Sequence, residues 1–143
     1  METCCRHRNA VSRVIVTGAE GFIGCAVVDQ LKQTGINVAG WTGPPESLAL
    51  SAEPADIVIH LAASARHAEL TVDERSDVGE TEAILEYCRM HNAKCILAST
   101  AGVYSSGAEE YQDEEAPTGP VSAYATSKLR AEQSCRVAYT QHG

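Results

Sequence analysis

The sequence predicts an α/β fold built on a doubly wound parallel sheet, and two observations carry that prediction. Apolar, β-branched runs of strand length alternate with stretches of helical periodicity over short connections. The runs that include Val14, Ile57 and Ile96 each lead into small residues, reaching Gly18, Ala62 and Thr100. Ligands of wound sheets gather beyond the carboxyl ends of strands, so these three positions mark one candidate site.

Each element has a local reason. Ser12 and Arg13 lead into Val14-Ile15-Val16, a β-branched run suited to a buried parallel strand. The turn Thr17-Gly18-Ala19-Glu20-Gly21-Phe22-Ile23-Gly24 follows, and apolar residues then recur with helical spacing at Phe22, Ile23, Ala26, Val27 and Leu31. Gly35 supplies a helix stop, and Ile36 to Trp41 reads as a second strand that Gly43-Pro44-Pro45 breaks. Residues 46–54 are ambiguous, with room for one helical turn. Residues 56–63 form a buried strand that runs into a small-residue loop, and residues 66–77 read as polar and irregular.

Glu80 to Met90 is an amphipathic helix with Ala83, Ile84, Tyr87 and Cys88 facing inward. Lys94 to Ser99 is the next strand, ending in Thr100-Ala101-Gly102. Residues 104–120 form a loop with five acids between Glu109 and Glu115, read as a solvated surface rather than a substrate contact. Ser122 caps a last helix that carries Tyr124, Lys128, Leu129 and Glu132.

The chain of 143 residues fits one folded unit, residues 12–143, behind a flexible tail of residues 1–11. A net charge of −8 without a basic stripe argues against a nucleic-acid partner. No stretch has the length and apolarity of a membrane span, and residues 1–10 lack the apolar centre of a signal peptide, which makes a cytoplasmic location the expectation. The six cysteines are accordingly expected to be reduced. Cys25, Cys88 and Cys95 are read as small core residues; a metal cluster of Cys88, His91 and Cys95 is the weaker alternative, because paired ligand knuckles are absent.

Two motifs carry chemistry. A glycine-bearing turn between strand and helix lets the backbone approach a dinucleotide pyrophosphate, while the helix N-terminus aims unpaired N–H groups and its positive dipole end at that charge. Gly18, Gly21 and Gly24 are spaced G-x-x-G-x-x-G, and an ordinary tight turn is the alternative. Glu20 is expected to point outward. The second motif is Tyr124-x-x-x-Lys128, which follows Thr100 by 24 residues. One helical turn apart, Lys128 would favour the phenolate of Tyr124 and lower its pKa from about 10. Such a tyrosine can exchange a proton with a substrate hydroxyl while a nicotinamide exchanges the hydride, with Thr100 hydrogen-bonding the same oxygen. A surface Tyr-Lys pair is the bland reading.

Thr17 to Gly24, His60-Leu61-Ala62-Ala63, Ala98-Ser99-Thr100-Ala101-Gly102-Val103-Tyr104 and Ser122-Ala123-Tyr124-Ala125-Thr126-Ser127-Lys128 together resemble the extended short-chain dehydrogenase/reductases, and within them the NAD-dependent epimerase/dehydratase family. The resemblance runs from Arg13 to the C-terminus. It implies a Rossmann-like fold, here incomplete and lacking the C-terminal substrate domain. It places Gly18, Gly21, Phe22, Ile23 and Gly24 around the pyrophosphate and Leu61, Ala62 and Ala63 along the adenosine side. Thr100, Tyr124 and Lys128 become the catalytic set, with Lys128 also holding the nicotinamide ribose. The implied cofactor is NAD or NADP, the substrate a sugar nucleotide or similar hydroxyl or carbonyl compound, and the assembly a homodimer through the Tyr-Lys helix.

Several residues depart from that pattern. Asp77 stands where the family usually has asparagine, and Glu80 where it has glycine. Gly40-Trp41-Thr42-Gly43 offers neither an acid for a ribose 2′-hydroxyl nor an arginine for a 2′-phosphate. Only 14 residues separate Thr42 from Ile57, so one edge strand is expected to be missing. Thr100 is followed by Ala101-Gly102 rather than an acidic pair, which favours an epimerase or reductase over a dehydratase. A dinucleotide-binding module without catalysis and an inactive remnant stand as alternatives.

Overall fold

The computed structural model describes residues 11, 13–50, 53–63, 74–105 and 113–143, with the backbone alone at residues 46 and 74–77. Four parallel strands appear among them: β1 (Val14–Thr17), β2 (Val38–Trp41), β3 (Ile57–His60) and β4 (Lys94–Leu97), in the order β2-β1-β3-β4. Helix α1 (Phe22–Gln33) joins β1 to β2, α2 (Glu74–His91) precedes β4, and α3 (Ala123–His142) ends the chain. Among the described residues the connection from β2 to β3 holds only a short 3-10 helix, Pro45–Leu50, in keeping with the residue count between Thr42 and Ile57.

The strands are held level. Thr17 pairs with Trp41 on one side and with His60 on the other, and His60 pairs with Leu97. Their carboxyl ends therefore form one edge, about 4.8 Å per strand step.

β1 shows why both faces must be covered. Val14 and Val16 point into a cluster with Val28 of α1, while Ile15 points into a cluster with Leu48, Val58, Ile84, Tyr87 and Cys88. All four β1 residues are buried, as expected of a run without polar alternation. α1 covers the first face; the 3-10 helix and α2 cover the second. α3 packs on α2 and on the 3-10 turn Ala101–Val103.

The structure corrects several boundaries. β2 begins at Val38 rather than Ile36, whose N–H is taken by the Leu31 carbonyl in closing α1. β3 and β4 stop at His60 and Leu97, short of the small residues that follow. α2 (Glu74–His91) takes in residues 74–77 of the segment read as irregular. Cys25 is exposed and not a core residue, because Gly24 and Val28 hold the inward face of α1. Phe22 and Ile23 likewise point outward, 97% and 63% exposed. Residues 1–10 and the acids Glu109 and Glu110 lie outside the described residues.

Candidate active site

The glycine turn is built by contact, not by flexibility alone. Gly18 has φ +66°, and a Cβ there would lie 2.8 Å from the Ala62 nitrogen. A Cβ on Gly24 would lie 2.1 Å from the Gly18 carbonyl oxygen. The turn thus lies against both the start of α1 and the chain leaving β3, and side chains at either glycine would force them apart. The Gly21 N–H donates to the Gly18 carbonyl at 3.0 Å, and Gly21 is the N-cap of α1. No side chain caps the first turn of α1 and no acid stands in it, so its N-terminus fits a diphosphate. Glu20 is exposed, as expected.

A buried pair that the motifs do not display fixes the neighbouring wall. Thr17 and His60, each 1% exposed, meet through Oγ1 and Nδ1 at 2.7 Å. The Ala62 N–H donates to the same Thr17 oxygen at 3.2 Å. One hydroxyl therefore ties β1, β3 and the Leu61-Ala62-Ala63 segment together beside Gly18. Its only sequence signal is the strand-end position of Thr17 and His60, which becomes a contact once the register pairs them.

Thr100 stands beyond β4 on the same sheet edge, two strand steps or about 10 Å from the end of β1. Its Oγ1 accepts from the Gly102 N–H at 3.3 Å and starts the turn Ala101–Val103. That turn lies against α3: a Cβ on Gly102 would come 3.4 Å from the Ala125 methyl and 3.6 Å from Thr100 Oγ1. Thr100 is thereby brought beside the first turn of α3, where Tyr124 stands. Ser122 Oγ accepts from the Ala125 N–H at 3.1 Å, which is the expected cap.

Tyr124 and Lys128 share one face of α3, with Lys128 Nζ 5.9 Å from the centre of the Tyr124 ring. Lys128 is 4% exposed and Tyr124 half-buried. One turn further, Ser99 Oγ donates to the Glu132 carboxylate, fastening the end of β4 to the same helix. Arg136 lies 3.9 Å from the other Glu132 oxygen. Thr100, Tyr124 and Lys128 are therefore assembled by neighbouring elements, while the glycine turn and Ala62 are assembled by β1 and β3. The backbone of Asp77 lies in the opening of α2, and its side chain is outside the described residues.

Two clefts of about 490 and 360 Å³ open along α2 and α3, and neither is lined by a candidate residue of the sheet edge. Among the described residues no group of three or more His, Cys, Asp or Glu side chains is placed to hold a metal, and no helix is long and apolar enough to cross a membrane.

Comparison with known proteins agrees with this fold. The family model described as NAD dependent epimerase/dehydratase matches residues 14–143. A UDP-glucose 4-epimerase of Azospirillum brasilense is 31% identical over 162 aligned positions, covering 94% of this chain and 47% of that protein. Among solved structures, a UDP-galactose 4-epimerase superposes with a TM-score of 0.81 at 25% identity, covering 92% of this chain and 52% of its own. The UDP-glucose 4-epimerase of Thermus thermophilus, in complex with NAD, gives 0.77 at 26% identity with the same coverages, 92% and 52%. The chain spans about half the length of these relatives.

Proposed function

The chain belongs to the NAD-dependent epimerase/dehydratase family, and we propose that it supplies the cofactor-binding and proton-transfer half of an enzyme that moves a hydride between NAD and a sugar nucleotide. The observation that carries this reading is the level carboxyl edge of the sheet. It sets the Gly18 turn, Ala62 and Thr100 in one row, with Tyr124 and Lys128 on the helix beside Thr100.

The backbone of Gly18, Gly21 and Gly24 and the N-terminus of α1 hold the diphosphate, with Phe22 and Ile23 at its border. Leu61, Ala62 and Ala63 flank the adenosine side. The bound nicotinamide supplies the hydride chemistry. The Tyr124 hydroxyl gives or takes the proton of the reacting sugar oxygen, and Thr100 Oγ1 hydrogen-bonds that oxygen and fixes its direction. Lys128 places a positive charge beside the Tyr124 ring and holds the nicotinamide ribose. Ala101-Gly102 after Thr100 offers no acid for eliminating water, which favours epimerase or reductase chemistry over dehydration.

Turnover of a UDP-sugar by the enzyme that contains this chain, with NADH fluorescence as the binding assay, tests the reading. Tyr124→Phe is expected to lower turnover by about 10²- to 10⁴-fold while NADH affinity holds. Full turnover in that variant would refute the mechanism. Cofactor binding without hydride exchange for any sugar nucleotide would favour a non-catalytic module.

The same proposal extends to a homodimer through α2 and α3. Val137 and Tyr139 are 54% and 75% exposed, and Val137 lines the cleft of about 490 Å³. Sedimentation is expected to show a dimer that Val137→Glu converts to monomer; a monomeric parent would refute it.

A further inference from the structure

Three thiols from three elements meet on the flank opposite the glycine turn's helix. Cys88 lies in the last turns of α2, Cys95 is the second residue of β4, and Cys135 lies on α3. Cys95 packs against the core cluster that contains Cys88. All three are free thiols. All three line the cleft of about 360 Å³, so a small solute can reach them.

Cys88 and Cys95 also flank a tight reversal. The Ala93 N–H donates to the Cys88 carbonyl at 2.8 Å across Asn92, which has φ +53°. This left-handed residue ends α2 and returns the chain to β4. The two sulfurs are thereby held on adjacent elements, with only Asn92 and Ala93 between the end of α2 and the start of β4.

We propose that Cys88, Cys95 and Cys135 form a peroxide-responsive thiol relay, in which Cys88 is oxidised by a hydroperoxide and Cys95 resolves it to a disulfide joining α2 to β4. The Cys88 sulfur attacks one peroxide oxygen, the O–O bond breaks, and an alcohol leaves with the proton from the thiol. Cys88 is now a sulfenic acid. The Cys95 sulfur attacks it, the S–O bond breaks, and water departs with the Cys95 proton. In sum, two thiols and one hydroperoxide give one disulfide, one alcohol and one water; the sulfurs lose two electrons and the peroxide gains them.

The protonation order agrees with these roles. Donation from the Cys95 S–H outweighs burial and holds Cys88 below the usual thiol range, so it is the first to become the nucleophilic thiolate. Cys95 accepts from Cys135, but its own donation to Cys88, together with burial, pushes it up to about 12. Donation to Cys95, and then burial, raises Cys135 further. Cys95 and Cys135 thus stay protonated where Cys88 begins to ionise.

Mass spectrometry of the purified chain tests this without reference to its activity. Arg89 and Lys94 separate the two thiols, so trypsin leaves Cys88 and Cys95 on different peptides that only a bridge can link. Treatment with tert-butyl hydroperoxide is expected to give that linked pair, lighter by two hydrogens than its parts and lost on reduction. In Cys95→Ser the pair is expected to vanish and a dimedone adduct to appear on Cys88. The exposed Cys25 is the internal comparison. If Cys25 is oxidised while Cys88 stays fully alkylatable after denaturation, or if the linked pair forms only in unfolded protein, the proposal is overturned.

Discussion

Replacing one glycine and then another by alanine should move stability in opposite directions. A Cβ on Gly24 would stand 2.1 Å from the Gly18 carbonyl oxygen, 2.8 Å from the Gly18 carbonyl carbon and 2.9 Å from the Ala19 Cα. Ordinary contact begins at 3.4 Å, so α1 and the turn must separate by the remaining 1.3 Å. The obstructing atoms are all backbone, and no rotamer change relieves them. Overpacking of this kind costs about 1–3 kcal/mol. The better helix propensity of alanine returns about 0.5–1 kcal/mol of that. The net loss is about 0.5–2 kcal/mol; with an m-value of about 2 kcal/mol/M, the urea midpoint falls by about 0.3–1 M. Gly79 lies within α2, and a Cβ there meets nothing within 4 Å. Gly79→Ala keeps the propensity gain alone and should raise the midpoint by about 0.3–0.5 M. Circular dichroism at increasing urea reads both variants. A midpoint for Gly24→Ala at or above the parent would show that the turn and α1 are not in the contact described, and the argument for a closely approached cradle would fall with it.

Two further outcomes follow from buried polar groups. Thr17→Val removes the hydroxyl that accepts from the Ala62 N–H and meets His60 Nδ1, at nearly constant volume. The buried His60 ring and the half-buried Ala62 N–H each lose a partner, so stability should drop by about 1–3 kcal/mol, read from the urea midpoint; a neutral result would mean that water replaces the hydroxyl. Alkaline pH should also destabilise the fold. Burial raises the Tyr87 phenol; at Cys95 the influence of Cys135 lowers the thiol, but that of Cys88 together with burial outweighs it and pushes it up to about 12. Both groups favour the uncharged form when folded. Their contribution is full below the unfolded values and is lost as pH climbs from about 9 through about 12. Cys88, lowered by the Cys95 thiol, acts in the opposite sense. Urea midpoints between about pH 8 and about pH 11 are expected to decline, and less steeply in Cys95→Ser. A flat profile in the parent would refute the assignment.

What could be read from the sequence was what depends on neighbours in the chain. The glycine turn, the Ser122 cap and the one-turn spacing of Tyr124 and Lys128 are local, and they stand where the residues placed them. So did the short passage from β2 to β3, which simple length forbids from holding another strand. The Thr17–His60 contact and the Ser99–Glu132 tether were invisible, because each joins residues far apart in the chain that only the sheet register or helix packing brings together. The outward turn of Phe22 and Ile23 was missed for a related reason. Helical periodicity shows that a face exists, but Gly24, with no side chain to count, is what presses that helix to the turn. The extent of α2 over residues 74–79 was concealed by the polar sequence there, which hydrophobic spacing does not announce as helix.

Because α3 rests on α2 and the 3-10 turn Ala101–Val103, with the Ser99–Glu132 bond as its tether to the end of β4, the pair Tyr124 and Lys128 stands at the margin of the sheet. Opening of α3 requires the interhelical seam and that tether to part while the strands stay intact, so its amides should exchange with solvent sooner than those of β1 or β3. A dinucleotide reaching from the first turn of α1 to Lys128 would act as a strut between these two parts. Slowed deuterium uptake along α3, as far as Tyr139, would then register occupancy at a distance from where the molecule binds.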